Sequence, residues 1–177
     1  MDIFRGVSSN GEDQLSDLQD QPDPVVNPDG RQSATAAAVQ RGTGRMLLSA
    51  GFASVSELSL ANGRRADLMA INGKGEIWIV EIKSSPADYL SDHKWQDYMA
   101  YCDRFYFAIP ADMDPGLIDK TAGLVIADAW GAEIVREAAE ARLSGARRKA
   151  VTLLLARTAS LRLHSTIDPN LIMIRAC

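Results

Sequence analysis

The sequence predicts an α/β fold in which one helix precedes an antiparallel meander of three strands and further helix and strand follow. Three observations predict this fold. Residues 33–50 have a helix-forming composition, residues 55–83 contain three strand-like runs separated by Asn-Gly turns, and helical and strand-like patterns alternate after Pro86. The length of 177 residues and the 46% hydrophobic content suit one domain of ordinary size, and no internal repeat is present.

The first predicted element is a helix over Ser33–Ala50. The segment is rich in Ala, Val, Met and Leu and contains no proline. Gly51 follows it, and glycine is a common residue just beyond a helix end.

The three strands are predicted at Val55–Leu60, Arg65–Ile71 and Glu76–Lys83. Asn62-Gly63 lies in the first gap and Asn72-Gly73-Lys74-Gly75 in the second. Asn-Gly favours tight hairpins because both residues tolerate positive φ, so the three strands should pair antiparallel.

A second helix is predicted over Asp88–Cys102, after Pro86 closes the third strand. Its apolar residues recur at spacings of three and four, which is typical of an amphipathic helix.

The last third of the chain contains strand-like runs followed by a helical pattern. Arg104–Ile109 is aromatic-rich and stops at Pro110, Gly123–Ala129 repeats the pattern, and Glu133–Arg136 should pair with it. Arg147–His164 has no proline and several leucines, which predicts a final helix.

The N-terminal residues 1–30 differ in composition from the rest. They contain seven acids, one base and three prolines, with few large apolar residues. This composition predicts a disordered acidic tail and leaves residues 31–177 as the single folded domain.

The charge balance excludes a protein that wraps nucleic acid by bulk positive charge. Nineteen Lys and Arg oppose twenty-three Asp and Glu, a net charge of −4. Residues 136–177 are locally basic, with eight bases and three acids. Their cluster Arg147-Arg148-Lys149 is either an edge that contacts phosphates or a solvated helix face, and both interpretations stay open.

Cysteine usage and hydropathy indicate a cytoplasmic protein. Cys102 and Cys177 cannot form a disulfide framework, and neither has His or Cys neighbours at metal-ligand spacing. No apolar run approaches the roughly 20 residues of a membrane span, and no secretion leader is recognisable, so no membrane association is expected.

Asp67, Glu81 and Lys83 form the constellation that points to chemistry. Glu81 and Lys83 are two apart on a strand, so both side chains leave the same face of the sheet. Asp67 lies on the preceding strand of the hairpin, within cross-strand reach. Two carboxylates should therefore meet beside a lysine.

Two acids beside a lysine suit a hard divalent cation and a phosphodiester. Asp67 and Glu81, with the carbonyl of Ile82, would bind Mg²⁺ or Mn²⁺, and Lys83 would position water or stabilise the charge of the transition state. Glu-x-Lys alone is a weak signal, because alternating charges are common on exposed strand faces. An exposed charged strand is the alternative.

The constellation resembles the PD-(D/E)xK phosphodiesterase superfamily, the fold of many restriction and repair nucleases. More narrowly, the chain from about Ser33 to about Ser165 resembles the MmcB family of bacterial proteins associated with DNA repair. The segments that carry this likeness are Ser56-Glu57-Leu58, Gly63 to Asp67, Val80 to Ser85, Asp92-His93-Lys94-Trp95 with Asp97-Tyr98, and Cys102 to Ala108.

The resemblance implies a restriction-endonuclease-like αβββαβ core and roles for individual residues. Metal ligation is implied for Asp67 and Glu81, and a catalytic role for Lys83. Glu57 matches an extra acid that many members add. Lys94 and Tyr98, four apart on one face of the predicted helix, occupy the place of the Gln-x-x-x-Tyr pair of one nuclease branch, which implies contacts with the substrate backbone. The superfamily's usual proline before the aspartate is an alanine here, which weakens the motif but not the mechanism.

Three further residues are candidates for substrate contacts. Arg64 and Arg65 stand close to Asp67 and should lower its pKa or reach a phosphate. Trp95, beside Lys94, could stack on a base, although core packing is the usual role of a tryptophan on a helix face.

These observations together predict a metal-dependent deoxyribonuclease that acts in DNA repair. Its candidate substrates include single-stranded and branched DNA. The rival interpretation is a nuclease-like fold with little catalysis that binds DNA or a protein partner, and RNA is a third candidate substrate. The resemblance makes a homodimer plausible. Gly73-Lys74-Gly75 lacks the spacing of a Walker motif, so no nucleotide cofactor is expected.

Overall fold

The computed structural model describes residues 33–168. The predicted acidic tail lies outside the described residues. The elements, in chain order, are α1 (Ala34–Ser49), β1 (Phe52–Ser59), β2 (Arg65–Asn72), β3 (Ile77–Ile82), α2 (Pro86–Ser91), a 3₁₀ helix (Trp95–Tyr101), β4 (Arg104–Pro110), a 3₁₀ turn (Pro115–Leu117), β5 (Gly123–Ala127), β6 (Ala132–Arg136) and α3 (Gly145–Ile167).

The strands form one six-stranded mixed sheet whose spatial order follows the chain. β1, β2 and β3 pair antiparallel, β3, β4 and β5 pair parallel, and β6 returns antiparallel to β5. The predicted meander, the later strands and the α/β class are confirmed.

Helices cover both faces of this sheet. α1 packs on one face, against residues that include Trp78 and Val80 of β3. The 3₁₀ helix and α3 pack on the other face, against residues that include Ile79 and Phe105. Every residue of β3 is buried, which is typical of a strand enclosed on both faces.

α1 begins and ends where its sequence predicts. The hydroxyl of Ser33 accepts a hydrogen bond from the N–H of Ala36 at 3.1 Å and caps the first turn. At the other end the chain reverses through Gly51, whose φ of +82° lies in the left-handed region.

The predicted continuous helix over Asp88–Cys102 is wrong. The segment divides into α2 and the 3₁₀ helix, and the break is at Asp92. Asp92 bonds the Lys83 ammonium at 2.7 Å and the N–H of Lys94 at 3.3 Å. An aspartate that bonds the backbone two residues on competes with helix formation, so the chain leaves the helix at this residue.

α3 is anchored to the sheet through one buried carboxylate. Asp103, only 2% exposed, accepts hydrogen bonds from both Nη atoms of Arg148 at 2.7 Å and from the backbone N–H groups of Ile77 and Leu143. Arg148 is therefore a structural ion-pair partner. In the same cluster, the guanidinium of Arg147 lies over the ring of Tyr101 and Lys149 is exposed.

Across residues 33–168, every helix is too short or too polar to cross a bilayer.

Candidate active site

Asp67 and Glu81 are brought together where the β2–β3 ladder ends. The last backbone pair of that ladder is Leu68 with Val80. Beyond it, the N–H of Asp67 donates to Glu81 Oε1 at 3.0 Å, and the N–H of Ile82 donates to Asp67 Oδ2 at 2.8 Å. Each carboxylate is thus held by the opposite strand, and the two side chains lie together as the strand pairing predicts.

Burial and mutual repulsion make both carboxylates costly to ionise. Burial raises the pKa of Asp67 to about 6, and the nearby charge of Glu57 adds to the shift. Burial also raises the pKa of Glu81, which is 4% exposed, to about 8, and the charge of Asp67 is the next cause. The charge of Arg65 does lower the pKa of Asp67 as predicted, but burial outweighs it and the net shift is upward.

Lys83 directly follows β3 and lies on the same face of the sheet as Glu81, but its ammonium is already paired. Nζ lies 2.7 Å from Asp92 Oδ2, and the two side chains are 7% and 12% exposed. Although burial alone would raise it, the hydrogen bond and charge of Lys83 hold the pKa of Asp92 below its usual range. Sequence reasoning gave Asp92 no role, because its contact depends on the break between α2 and the 3₁₀ helix.

Glu57 stands across from Asp67 on β1, at an irregular point of the strand. Its φ of +51° is the only positive φ of a non-glycine among residues 33–168. Its carboxylate pairs with Arg65 Nε at 2.5 Å, and Arg162 of α3 donates to its backbone carbonyl at 2.8 Å. Glu57 therefore adds negative charge beside Asp67 from a position tied to two arginines.

The proposed substrate residues occupy different environments. Arg64 pairs with Asp97 at 3.1 Å. The hydroxyl of Tyr98 donates to the carbonyl of Arg65 at 2.9 Å, and burial, with the charge of Glu81 next, raises the pKa of Tyr98. Lys94 is exposed at the start of the 3₁₀ helix, so the expected shared helix face with Tyr98 is wrong.

Trp95 belongs to the core. It is 7% exposed and its ring stacks on Phe105 with centroids 5.0 Å apart. The structure therefore gives Trp95 the packing role that is usual for a tryptophan on a helix face, and does not support base stacking by this ring.

The donor set fits a hard divalent cation that is only partly coordinated by protein. Residues 33–168 include no cluster of three or more His, Cys, Asp or Glu side chains arranged around a metal position. Mg²⁺ commonly takes one or two carboxylates and completes its octahedron with water and substrate phosphate. Asp67 and Glu81 match this pattern, since both offer oxygen ligands and a cation would relieve their repulsion.

An open cleft of about 500 Å³ lies beside this site. Asn62, Gly63 and Arg64 of the β1–β2 turn line one part of it, and residues 91–94 with Asp97 line another. Asp92 belongs both to the cleft wall and to the ion pair with Lys83.

The raised pKa values predict that stability falls as pH rises. Between about pH 4.5 and 8 the folded protein holds protons at Asp67 and Glu81 that the unfolded chain releases, so folding weakens across this window. We expect the free energy of unfolding to drop by at least about 1 kcal/mol from pH 5 to pH 8. Urea titrations at a series of pH values measure this drop.

A matched variant isolates the cause. Glu81→Gln removes the carboxylate with the larger pKa shift and should make the free energy of unfolding depend less on pH. Glu140→Gln changes an exposed carboxylate and should leave that dependence unchanged. A wild-type free energy of unfolding that stays constant or rises from pH 5 to pH 8 would contradict the prediction.

The comparisons with known proteins agree with the fold and point to a family. A family model described as MmcB-like, DNA repair protein MmcB-like, matches residues 23–170. The solved structure of a protein of unknown function from Silicibacter pomeroyi is 41% identical, with a TM-score of 0.78, and the match covers 82% of this chain and 99% of that one. The search of curated proteins finds no significant match.

Proposed function

The chain belongs to the MmcB-like family of DNA repair proteins, and from this premise we propose that it is a metal-dependent nuclease that cleaves DNA phosphodiesters. The observation that carries the proposal is the pairing of half-buried Asp67 with buried Glu81, beside buried Lys83 on the same face of the sheet. The helix, three-stranded meander and following helices fit the PD-(D/E)xK superfamily, in which we place the chain.

The residues divide the work of hydrolysis between them. Asp67, Glu81 and the Ile82 carbonyl would hold Mg²⁺ or Mn²⁺, which would supply Lewis acidity at the phosphoryl oxygen and a more acidic water. Lys83 orients the attacking water and offsets negative charge on the phosphorus centre. The attacking water gives up a proton to solvent as its oxygen bonds to phosphorus, the phosphorus–oxygen bond to the leaving sugar breaks, and the leaving oxygen takes a proton from solvent.

Burial of the carboxylates explains why a cation should bind well here. Two ionised carboxylates so close together in a desolvated place repel each other, and a divalent cation replaces that repulsion with attraction. Since the ligands must lose protons to bind, metal affinity should rise with pH through the range of their raised pKa values.

The Lys83–Asp92 pair favours the rival function. An ammonium neutralised by a carboxylate at 2.7 Å has to exchange that partner before it can act on a phosphate. A protein in which this exchange never happens would bind DNA or a partner protein without cutting, and this is our second candidate.

Replacing Asp67 or Lys83 by alanine should abolish cleavage of DNA. We expect a loss of at least roughly 100-fold, because Asp67→Ala removes a ligand of the metal and Lys83→Ala removes the positive charge beside the reacting phosphate. The measurement is nicking of supercoiled, single-stranded and flapped DNA with Mg²⁺, Mn²⁺ or chelator.

Lys74→Ala is the matched control, since Lys74 is exposed in the β2–β3 turn. Full activity of Asp67→Ala or Lys83→Ala would refute the assignment. If wild type cuts no substrate, and Mn²⁺ binding measured by calorimetry does not depend on Glu81, the binding module becomes the better account.

A further inference from the structure

The cleft beside the site, here called the β1–β2 cleft, is formed by Asn62, Gly63, Arg64, residues 91–94 and Asp97. Its volume of about 500 Å³ falls within the range of sites that hold small molecules. The pairing of the three strands and metal binding by Asp67 and Glu81 do not account for an open space at this position.

The charge in the cleft favours an anion. Both of its acids are already paired, Asp97 with Arg64 at 3.1 Å and Asp92 with Lys83 at 2.7 Å. Within residues 33–168 the side chains of His93 and Lys94 form no ion pair or hydrogen bond, and both are exposed. The surplus is one lysine charge with a histidine ring beside it.

The two sides of the cleft are tied together, so its shape is set before a ligand arrives. Both Nε and Nη2 of Arg64 bond Asp97 Oδ2, at 3.2 and 3.1 Å, and Asn62 Nδ2 donates to the carbonyl of Asp97 at 3.2 Å. A preformed site spends less free energy on ordering its own groups when it binds.

Asp92 connects the cleft to the catalytic lysine. Asp92 lines the cleft, and its Oδ2 accepts a hydrogen bond from the ammonium of Lys83. An anion seated at Lys94 and His93 would repel Asp92 and so weaken its hold on Lys83. Occupation of the cleft would therefore free Lys83 from its present partner.

We propose that the β1–β2 cleft binds the backbone of an unpaired DNA strand next to the bond that is cut, with Lys94 and His93 contacting a phosphate. The inference rests on the proposed nuclease function and deepens it by naming the substrate class. A cleft of this volume admits a nucleotide or two of a single strand, whereas a duplex presents its phosphates on a surface far too broad to enter.

Equilibrium binding in the presence of chelator tests the proposal without cleavage. Fluorescence anisotropy with a labelled single-stranded oligonucleotide and the same sequence as a blunt duplex gives the affinities of wild type and variants. Lys94→Glu should weaken single-strand binding about tenfold and reduce the slope of log affinity against log salt by about 0.7, the value for one lost phosphate contact. Wild type should prefer the single strand.

Lys74→Glu is the matched control, because it makes the same charge change in the exposed turn at the other end of β2. We expect it to change affinity less than twofold. The proposal would be overturned if Lys94→Glu and Lys74→Glu weakened single-strand binding equally, or if wild type bound the duplex as tightly as the single strand. An unlabelled RNA competitor of the same sequence shows whether the strand must be DNA.

The two hypotheses fail in different ways. Asp67→Ala should keep single-strand binding and lose cleavage, since it removes a metal ligand and leaves the cleft intact. If wild type binds as expected but cuts nothing with any metal, the nuclease function fails and the strand-binding cleft stands. If wild type cuts and Lys94→Glu binds normally, the cleft inference alone fails.

Discussion

Asp103→Ala is expected to destabilise the fold by about 3–5 kcal/mol, which would be among the largest effects of a single substitution in this chain. Asp103 sits between the start of β3, the start of β4 and the loop that leads into α3. Its carboxylate accepts four hydrogen bonds, two of them from Arg148 and two from backbone N–H groups. Removing it leaves these donors unsatisfied and the Arg148 charge without its partner.

The burial of Asp103 and the direction of its pKa shift both indicate that its carboxylate is a structural ion-pair partner. Asp103 is 2% exposed, and although burial alone would raise its pKa, the hydrogen bonds from Arg148 and the backbone hold that pKa below the usual range. The carboxylate therefore stabilises the fold at neutral pH and loses this contribution only in acid. Urea unfolding at pH 7, followed by far-ultraviolet circular dichroism, measures the loss.

A surface pair supplies the control for Asp103. Asp97→Ala makes the same change in an ion pair with Arg64 whose side chains are 28% and 51% exposed, and such pairs contribute less than about 1 kcal/mol. The double variant of Asp103 and Arg148 measures their coupling. Equal destabilisation by Asp97→Ala and Asp103→Ala would show that the buried network does not hold α3.

Local patterns were enough to predict most of the fold. The Asn-Gly turns and the strand-like runs between them placed β1, β2 and β3 within a few residues, because both signals act between neighbours along the chain. The prediction of one helix over Asp88–Cys102 was wrong because side-chain contacts outside the local spacing pattern decide the structure there. The spacing of its apolar residues is helical, but Asp92 bonds the Lys83 side chain and the N–H of Lys94, and the helix breaks there.

Some features of the candidate site could likewise be predicted from local patterns, and others could not. Strand alternation and hairpin pairing place Asp67, Glu81 and Lys83 on one face, so the sequence contains that information. The pairing of Lys83 with Asp92 and the cleft between a turn and a loop both depend on loop conformation. The direction of the Asp67 pKa depends on burial, which the adjacent arginines in the sequence could not reveal.

The expected effect of Gly42→Ala is a destabilisation of about 2 kcal/mol or more, even though alanine is the better helix former. Gly42 lies in the middle of α1, facing the turn between β5 and β6. A Cβ at this position would stand 2.2 Å from the carbonyl oxygen of Asp128 and 2.3 Å from that of Gly131. Both are backbone atoms, so α1 or the turn would have to move.

The turn that meets Gly42 has little freedom to give way. Asp128 Oδ1 accepts the N–H groups of Trp130 and Gly131 at 2.7 and 2.9 Å, and the N–H of Asp128 donates to the carbonyl of Gly131 at 3.0 Å. Arg45 of α1 also donates to the carbonyl of Ala129 at 2.7 Å. The added methyl group therefore displaces α1 from the sheet.

Gly44→Ala, two residues along the same helix, separates this clash from helix propensity. A Cβ at Gly44 meets nothing within 4 Å, so this substitution should stabilise the protein by up to about 1 kcal/mol. Urea unfolding of both variants measures the difference, and a Gly42→Ala protein as stable as Gly44→Ala would show that α1 and the turn do not pack so closely. Because α1 covers the sheet face opposite Glu81 and Lys83, Gly42→Ala protein that remains folded at low temperature should still bind Mn²⁺, which separates damage to the scaffold from damage to the site.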